Sequence, residues 1–399
     1  MKFKERLFSI ISMLPGWLLI IPFSFLFRKR RGLIIVISRD ANQFSDNTKY
    51  FYSYLINNNY KNAYFLYETD PGYMKNIPGS LAYPSLKSVL LLLHAEYIIV
   101  DTATWFYNFK FYLSFKAKKI QLWHGISSKK IELATDFFCK SKFRIIKIWY
   151  GILRGQFVKY NLITSTSEYY SKHLYSDAFR YKHILPLGQP RNDIFFRTPQ
   201  GLDMINTDKK IYTKLKDLKS RLDAKIILYT PTYRENLSMD LLNLDRINRF
   251  AKKNNFLFVI KHHVLTRISC QQEYNRVFYY SKYNDIYPLM CISDMMLTDY
   301  SSIYMDYILR DKPIVFFIPD YEQYNKYEAG LRPDFFDMTP GPKVYNMDDL
   351  YVVLKTELLT EGMNYREERQ KISDLAYKHK DCKSSERIYK YIKNKQLNR

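Results

Sequence analysis

The segment SDMMLTDYSSIYMDYILRDKPIVFF at residues 293–317 decides the fold class. Its apolar runs, Met296–Leu297 and Ile314–Ile318, predict buried strands, and the intervening Ser301–Leu309 has a helix-like pattern. A helix between two strands is the usual connection between parallel neighbours in a sheet. The segment therefore predicts an α/β domain, in which ligands bind beyond the carboxyl ends of the strands.

The same alternation of strand and helix continues outward from this segment. Strand-like runs lie at Gly32–Ser38, Ala63–Tyr67, Tyr97–Asp101, Ile120–Trp123, Leu162–Ser165, Ile226–Tyr229 and Leu257–Ile260. Helix-like patterns lie at Thr48–Asn57, Ser85–His94, Glu168–Phe179, Leu241–Lys253, Met347–Leu359 and Tyr365–His379. A polar stretch near 192–222 separates the two series. This predicts two parallel-sheet α/β domains, 32–190 and 191–375, between an N-terminal segment 1–31 and a tail 376–399.

Composition excludes several classes of protein. Of 399 residues, 47% are hydrophobic and 17% aromatic, which is enough to form a core and excludes intrinsic disorder. Neither G-x-G-x-x-G nor G-x-x-x-x-G-K-[ST] occurs, which disfavours dinucleotide oxidoreductases and P-loop proteins. The 4 cysteines are dispersed, and no D-x-D triplet is present to clamp a metal and a diphosphate. The sequence therefore predicts neither a metal site nor a cofactor.

The charge and the N-terminus together suggest an anionic membrane surface. The chain has 62 basic and 39 acidic side chains, a net charge of +23, so nucleic acid, acidic lipid or a phosphorylated substrate could each be the partner. Residues 7–27 carry no charge, are flanked by basic residues on both sides and are interrupted by Pro15, Gly16 and Pro22. We expect a monotopic broken hairpin in the cytoplasmic leaflet, with a true span and a buried helix as alternatives.

Two further basic stretches have a bearing on membrane contact. Phe137–Lys159 mixes lysines and arginines with large apolar residues, as expected for an amphipathic helix that binds anionic headgroups. The alternative is a half-buried helix with a solvated basic face. The basic tail Lys378–Arg399 is predicted to be a solvated helical end.

Histidines that follow predicted strands are candidates for acid–base chemistry. His124 follows an apolar strand in Gln121–Gly125, which makes it a candidate base or, alternatively, a structural histidine. His262 and His263 end the strand of Leu257–Ile260. Because neighbouring residues on a strand face opposite ways, one of this pair at most can face a given site.

Two other strand ends carry groups suited to an anion. Thr232 and Arg234 follow the strand Ile226–Tyr229, and an arginine fork can grip phosphate oxygens, although a capped loop is the alternative. Asp299, Ser301 and Ser302 precede a predicted helix, whose free N–H groups and dipole favour an anion, although simple N-capping needs one serine only.

These strand ends resemble the CDP-glycerol glycerophosphotransferase family of teichoic-acid and related polymer synthesis. Coverage runs from about Arg31 to about Leu359, and a weaker match, FSDNTKYFY (44–52), opens the first domain. The matching strings are WHGISSKKI (123–131), PLGQPRND (186–193), ILYTPTYRE (227–235), VIKHH (259–263), SDMMLTDYSSIYMDYILRDKPIVFF (293–317), PDYEQY (319–324) and PGPKVYN (340–346).

The resemblance implies a fold and a reaction. It implies two Rossmann-like domains facing a cleft (GT-B type) and transfer of glycerol phosphate from CDP-glycerol to a hydroxyl of a lipid-linked glycan. CMP is released, at the cytoplasmic face of the bacterial cell membrane. A CDP-polyol other than CDP-glycerol is a close variant. The number of units added and the oligomeric state stay open.

The resemblance also assigns roles by position. His124 would be the general base, and His263 would contact the donor diphosphate, with His262 as the neighbour that could be confused with it. Ser301 and Ser302 would bind the diphosphate. Thr232 and Arg234 would support the donor phosphates, and Asp299 would orient the loop. Ile126-Ser127 stands where the family commonly has Thr-Pro, and Val264 where Pro is frequent, which leaves the acceptor and the exact donor open.

Two functions of other kinds remain as alternatives. A glycosyltransferase of the same architecture would use a sugar nucleotide and release a nucleoside diphosphate. A nonenzymatic lipid- or nucleic-acid-binding protein would show steep salt dependence without turnover. The apolar N-terminal run and the paired serines argue against nucleic acid.

Overall fold

The protein contains two parallel β-sheets with helices on their faces. The computed structural model describes residues 13–107, 110–127, 131–135, 144–234, 242–263, 272–327, 331 and 334–394. The first sheet has the strand order β3-β2-β1-β4-β5-β6-β7, and the second has the order β10-β9-β8-β11-β12-β13. Every strand pair described is parallel. The predicted α/β class with two parallel sheets is therefore confirmed.

The strands divide between the sheets in chain order. The first sheet comprises β1 (Arg30–Ile37), β2 (Ala63–Tyr67), β3 (Ser80–Ala82), β4 (Ala95–Val100), β5 (Lys118–Gln121), β6 (Lys159–Thr164) and β7 (Arg180–Leu185). The second comprises β8 (Lys225–Thr230), β9 (Phe256–Ile260), β10 (Val277–Tyr279), β11 (Met295–Thr298), β12 (Ile314–Phe317) and β13 (Lys343–Val344). We call each sheet with its helices a lobe.

Most of the helices connect successive strands. A π-helical turn, Gly16–Ile20, precedes α1 (Ile21–Ser24). The other described helices are α2 (Asp46–Asn57), α3 (Leu86–His94), α4 (Lys110–Leu113), α5 (Arg144–Arg154), α6 (Glu168–Tyr170), α7 (Lys209–Leu222), α8 (Leu244–Lys253), α9 (Tyr287–Ile292), α10 (Tyr304–Tyr307), α11 (Tyr321–Tyr327), α12 (Phe335–Met338), α13 (Met347–Leu359), α14 (Arg366–Ala376) and α15 (Ser384–Lys393).

The central strands are buried on both faces, which explains their continuous apolar sequences. In β1, Leu33–Ile37 are all buried, and Ile34 pairs with Ala63 on one side and Tyr97 on the other. Such runs are typical of parallel sheets that are covered by helices on both faces. The strands that the sequence did not indicate, β3, β7, β10 and β13, lie at the ends of the two sheets.

The C-terminal helix α15 returns to the first lobe. Ile388 and Ile392 are buried in the same apolar cluster as Ile34 of β1. The backbone N–H groups of Ser384 and Ser385 donate to the Asp193 carboxylate at 2.9 and 3.0 Å. The expected solvated helical end is therefore wrong for this helix, because its apolar face completes the core of the first lobe. Residues 395–399 lie outside the described ranges.

A buried ion pair clamps the lobes together with the carboxyl ends of their strands facing each other. Lys49 of α2 contacts Asp285 of the second lobe at 2.6 Å and also donates to the carbonyls of Asp203 and Ile205. The Tyr50 hydroxyl donates to the same Asp285 carboxylate at 2.7 Å. Because α2 follows β1 and Asp285 follows β10, this clamp fixes the edge at which α/β sheets bind ligands.

The N-terminal helical turn rests on the first lobe. The Trp17 indole donates to the Leu153 carbonyl of α5 at 3.2 Å, and its ring packs against Phe111 and Tyr112 of α4. Within the described ranges, no helix is both long and apolar enough to cross a membrane. Residues 1–12 of the predicted N-terminal segment and residues 137–143 of the predicted basic helix lie outside those ranges.

Candidate active site

His124 lies on a sharp turn that directly follows β5. Trp123 and Gly125 have positive φ angles of 55° and 124°, and His124 stands between them. The Asn47 side-chain amide donates to the Trp123 carbonyl at 2.7 Å, which fixes the turn against α2. The strand thus ends by projecting the imidazole from the carboxyl edge of the sheet, where sequence reasoning placed it.

The hydrogen bond of His124 determines which nitrogen of its ring carries the proton. Its Nδ1 lies 3.0 Å from the Asp101 carbonyl, which can only accept, so Nδ1 carries the proton. In the neutral imidazole, Nε2 is then the atom able to take a proton. Burial lowers the pKa of His124, so this neutral form predominates at neutral pH. The geometry gives His124 the properties of a general base.

Arg191 joins the His124 turn to both lobes. Its guanidinium donates to the Asp46 carboxylate at 2.7 Å, the His124 carbonyl at 2.8 Å and the Asp306 carboxylate of α10 at 2.6 Å. A Cβ on Gly125 would overlap Arg191 Nη2, which makes glycine necessary there for space as well as for its φ angle. Asn47 and Arg191 lie in the strings FSDNTKYFY and PLGQPRND, but the sequence pattern predicts no role for either residue.

In the second lobe, Asp299 organises the loop after β11. Its carboxylate accepts from the Thr232 N–H and hydroxyl at 2.9 and 2.6 Å, and from the N–H groups of Tyr300 and Ser301. Arg234 contacts Asp299 at 2.7 Å and Asp320 at 2.6 Å. Asp299 therefore holds the β8 and β11 loops together, in line with the orienting role that the resemblance implied.

Arg234 has a different position from the one expected of a phosphate ligand. It is 4% exposed, and its fork faces two carboxylates. This geometry does not favour the predicted contact of Arg234 with the donor phosphates. Arg234 and Thr232 both contact the Asp299 carboxylate, and their contact with the donor phosphates stays a prediction.

Ser301 and Ser302 lie at the mouth of the cleft between the lobes. The predicted helix Ser301–Leu309 is shorter in the structure, where α10 begins at Tyr304. Both serines are half-buried, and among the described residues no side-chain partner contacts either hydroxyl. Ser302 lines a narrow crevice together with Ile126 and Ser127 of the His124 turn. The structure thus brings the turn that carries the predicted base and a predicted diphosphate ligand to one crevice.

The two histidines after β9 face different surroundings. His263 lies beside the Tyr233 ring at 5.9 Å, whereas His262 stacks on Tyr279 of β10 at 6.3 Å. Burial lowers the pKa of His263, and the Arg39 charge lowers it further. Burial likewise lowers the pKa of Lys261 to about 8. These surroundings favour His263 over His262 as the residue that faces the cleft.

Arg39 is a cleft residue that sequence reasoning missed. It follows β1, and its charge acts on both His124 and His263, lowering the pKa of each after the larger effect of burial. It is exposed, and no described residue forms an ion pair with it. A cation between two candidate site histidines is suited to a phosphate group. Arg39 could have been predicted from the sequence because it directly follows a central strand of the predicted sheet.

Within the described residues, no cluster of three or more histidine, cysteine, aspartate or glutamate side chains could hold a metal ion.

Comparison with known proteins identifies the family. The profile of the CDP-glycerol:poly(glycerophosphate) glycerophosphotransferases matches residues 19–394. The chain belongs to this family. The predicted family is thereby confirmed, together with the predicted enzyme class of CDP-glycerol-dependent glycerophosphate transfer.

Individual relatives show how far the similarity extends. The chain is 28% identical to the teichoic acid glycerol-phosphate transferase of Staphylococcus aureus, over 82% of this chain and 84% of that protein. It is 26% identical to the teichoic acid poly(glycerol phosphate) polymerase of Bacillus spizizenii, over 92% of this chain and 91% of that protein. It spans 32% of the poly(ribitol-phosphate) polymerase of the same organism, at 30% identity over 50% of this chain.

A solved structure shows the same fold. The wall teichoic acid polymerase TagF superimposes with a TM-score of 0.71 at 20% identity, covering 100% of this chain and 99% of that chain. At this identity the similarity is evidence for the fold, and the roles of individual residues in this family member stay predictions.

Proposed function

We propose that this enzyme transfers glycerol phosphate from CDP-glycerol to a hydroxyl of a lipid-linked glycan or growing polymer and releases CMP. The observation that carries the proposal is the shared crevice of Ser302 and the His124 turn, which Arg191 and Asp306 hold together across the lobes. An acceptor hydroxyl and a donor diphosphate need to meet in such a place.

The reaction then proceeds by in-line attack at phosphorus. His124 Nε2 takes the proton of the acceptor hydroxyl, and the oxygen forms a bond to the phosphorus that carries glycerol. The bond from that phosphorus to the bridging oxygen breaks, and its electron pair leaves with CMP. Positioning and charge neutralisation dominate such transfers, so Ser301, Ser302, His263 and Arg39 act by holding the phosphates.

The decisive experiment supplies the protein with a panel of CDP-polyols and a lipid-linked acceptor, and follows CMP. Acceptor-dependent CMP release from CDP-glycerol supports the proposal. CMP release from CDP-ribitol alone would show that the donor is a CDP-polyol other than CDP-glycerol. Release of a nucleoside diphosphate from a sugar nucleotide, without CMP from any CDP-polyol, would exclude it.

Arg39 supplies a prediction about charge. Arg39→Gln should lower kcat about 10- to 100-fold. A preorganised donor aimed at developing charge typically contributes about 10²–10³-fold, and Arg39 should contribute less because it is exposed to solvent. Arg39→Lys should recover part of the loss. The matched control is Arg249→Gln, an exposed arginine on α8. If Arg39→Gln and the control had equal kcat values, Arg39 would have no part in the mechanism.

We also propose peripheral attachment to the cytoplasmic face of the membrane through one surface of the first lobe. On α5, Ile145, Ile146 and Trp149 are 72%, 67% and 64% exposed. On the N-terminal turn and beyond it, Leu18, Leu19, Phe25 and Leu26 are also exposed. The Trp17–Leu153 hydrogen bond holds these two segments against each other. Lys116 lies 5.0 Å from the Phe25 ring and adds positive charge. Apolar side chains with nearby cations are typical of interfacial binding.

This surface can be tested with vesicles. The double variant Ile146→Glu/Trp149→Glu should lower binding to phosphatidylglycerol-containing vesicles at least about 10-fold, because each large apolar side chain contributes about 1.5–3 kcal/mol when fully buried. Val352→Glu on α13, whose side chain is 65% exposed on the other lobe, is the matched control. Flotation assays measure both variants. Undiminished binding of the double variant would place the attachment elsewhere.

A further inference from the structure

A second, larger cavity lies between the lobes, about 720 Å³ in volume. Asn42 and Gln43 line it from the loop after β1, and Asn76 lines it from the segment after β2. Across the gap, Tyr283 and Asn284 line it from the loop after β10. This volume is in the range of small-molecule sites, and the cavity lies at the strand edge that carries His124.

The cavity adjoins the groups assigned to the reaction. Asn42 and Gln43 belong to the short loop that begins with Arg39, so one loop reaches both the histidines and the cavity. On the opposite wall, Lys261, two residues before His263, donates to the carbonyls of Ser281 and Lys282. Ser281 itself lines the cavity. One wall of the cavity thus belongs to the loop of Arg39, and the other contacts the lysine that lies two positions before His263.

The lining has the chemistry of a site for hydroxyl groups. Among the described residues, the side-chain amides of Asn42, Gln43, Asn76 and Asn284 make no hydrogen bond within the protein. Each amide offers both donors and an acceptor, which matches a hydroxyl group. The Tyr283 ring is largely exposed and adds an apolar face for C–H groups.

The charge of the cavity distinguishes it from the diphosphate site. Among the described residues that line it, Lys209 is the only ion and no carboxylate is present. In this cavity Lys209 alone would face the two negative charges of a donor diphosphate, whereas a neutral polyol or sugar needs no cation. We infer that this cavity binds the hydroxyl-rich terminal units of the acceptor chain, a polyol or a sugar, with Lys209 beside a neighbouring phosphate. The inference rests on the proposed function and adds the site of the second substrate.

The test is the double variant Asn76→Ala/Asn284→Ala against the control Asn57→Ala/Asn394→Ala, whose exposed amides lie outside the cavity. Loss of one hydrogen bond weakens binding about 2- to 12-fold, so KM for the acceptor should rise about 10-fold or more. KM for CDP-glycerol should match that of the control. Two acceptors, oligo(glycerol phosphate) and a lipid-linked disaccharide, distinguish polyol from sugar.

Two results would overturn the inference. An unchanged acceptor KM would show that the cavity does not bind the acceptor, and a raised KM for CDP-glycerol instead would assign the cavity to the donor. If the unmodified enzyme released no CMP from any CDP-polyol, the proposed function itself would fail. Calorimetric binding of the same two acceptors to the two double variants would then still test the cavity without turnover.

Discussion

Replacing His124 with alanine should lower kcat at least about 100-fold while leaving KM for CDP-glycerol nearly unchanged. A positioned base contributes about 10²–10⁴-fold, and Nε2 is the ring atom left free when Nδ1 donates to the Asp101 carbonyl. His124 stands on the first lobe, whereas Ser301, Ser302 and His263 belong to the second. Loss of the imidazole should therefore remove proton transfer and spare donor binding, as measured by CMP release under initial-rate conditions.

The pH profile supplies a readout that a merely structural role would not affect. The base is active when neutral, and burial lowers the pKa of His124, so kcat should fall to half of its plateau only at a pH below the usual imidazole value of about 6.5. His173→Ala, which removes an exposed histidine of the first lobe, is the control and should leave rate and profile unchanged. Normal turnover by His124→Ala, or an unaltered acid limb in that variant, would exclude His124 as the base.

The sequence predicted those parts of the fold that local pattern determines. β1 and β11 are buried on both faces and almost wholly apolar there, with Thr298 as the one buried polar residue of the two strands, and each was recognised. The strand β7, RYKHIL, lies at a sheet edge with a half-exposed surface, so it lacks that signature. The helix α7 falls in the polar stretch near 192–222, where Leu215 is its one buried residue. Helices and strands with few buried residues lack the apolar pattern by which such elements are recognised in a sequence.

The residues of the candidate site likewise include some that a local sequence pattern predicts and some that it does not. His124 and Ser302 were predicted because each follows a strand at the binding edge of its sheet, a local property. The role of Arg191 depends on Asp46, which lies 145 residues away, and on Asp306, which lies 115 residues away. Arg234 was predicted as a phosphate ligand because an arginine after a strand is suited to anions. Two distant aspartates neutralise it, and sequence spacing does not reveal such pairing.

Replacing Arg191 with methionine should lower the free energy of unfolding by about 3–5 kcal/mol, the usual cost of removing one partner of a buried ion pair. Arg191 and Asp306 are both buried, so the variant leaves a carboxylate without its counter-ion in a site that keeps out water. The His124 carbonyl also loses its donor, so turnover should fall as well. Urea unfolding and CMP release measure the two effects.

The comparison that isolates this effect is Arg221→Met. Arg221 is exposed, and its contact with Asp217 is 4.0 Å long, so its removal should change stability little. Arg191→Lys keeps the charge, but the lysine cannot contact Asp46, Asp306 and the His124 carbonyl at once. The free energy of unfolding of Arg191→Lys should therefore lie between those of Arg191→Met and Arg221→Met. If Arg191→Met were as stable as Arg221→Met, the Arg191–Asp306 pair would not contribute to holding the lobes together, and contacts such as Lys49–Asp285 would suffice. The crevice shared by the His124 turn and Ser302 would then not depend on Arg191.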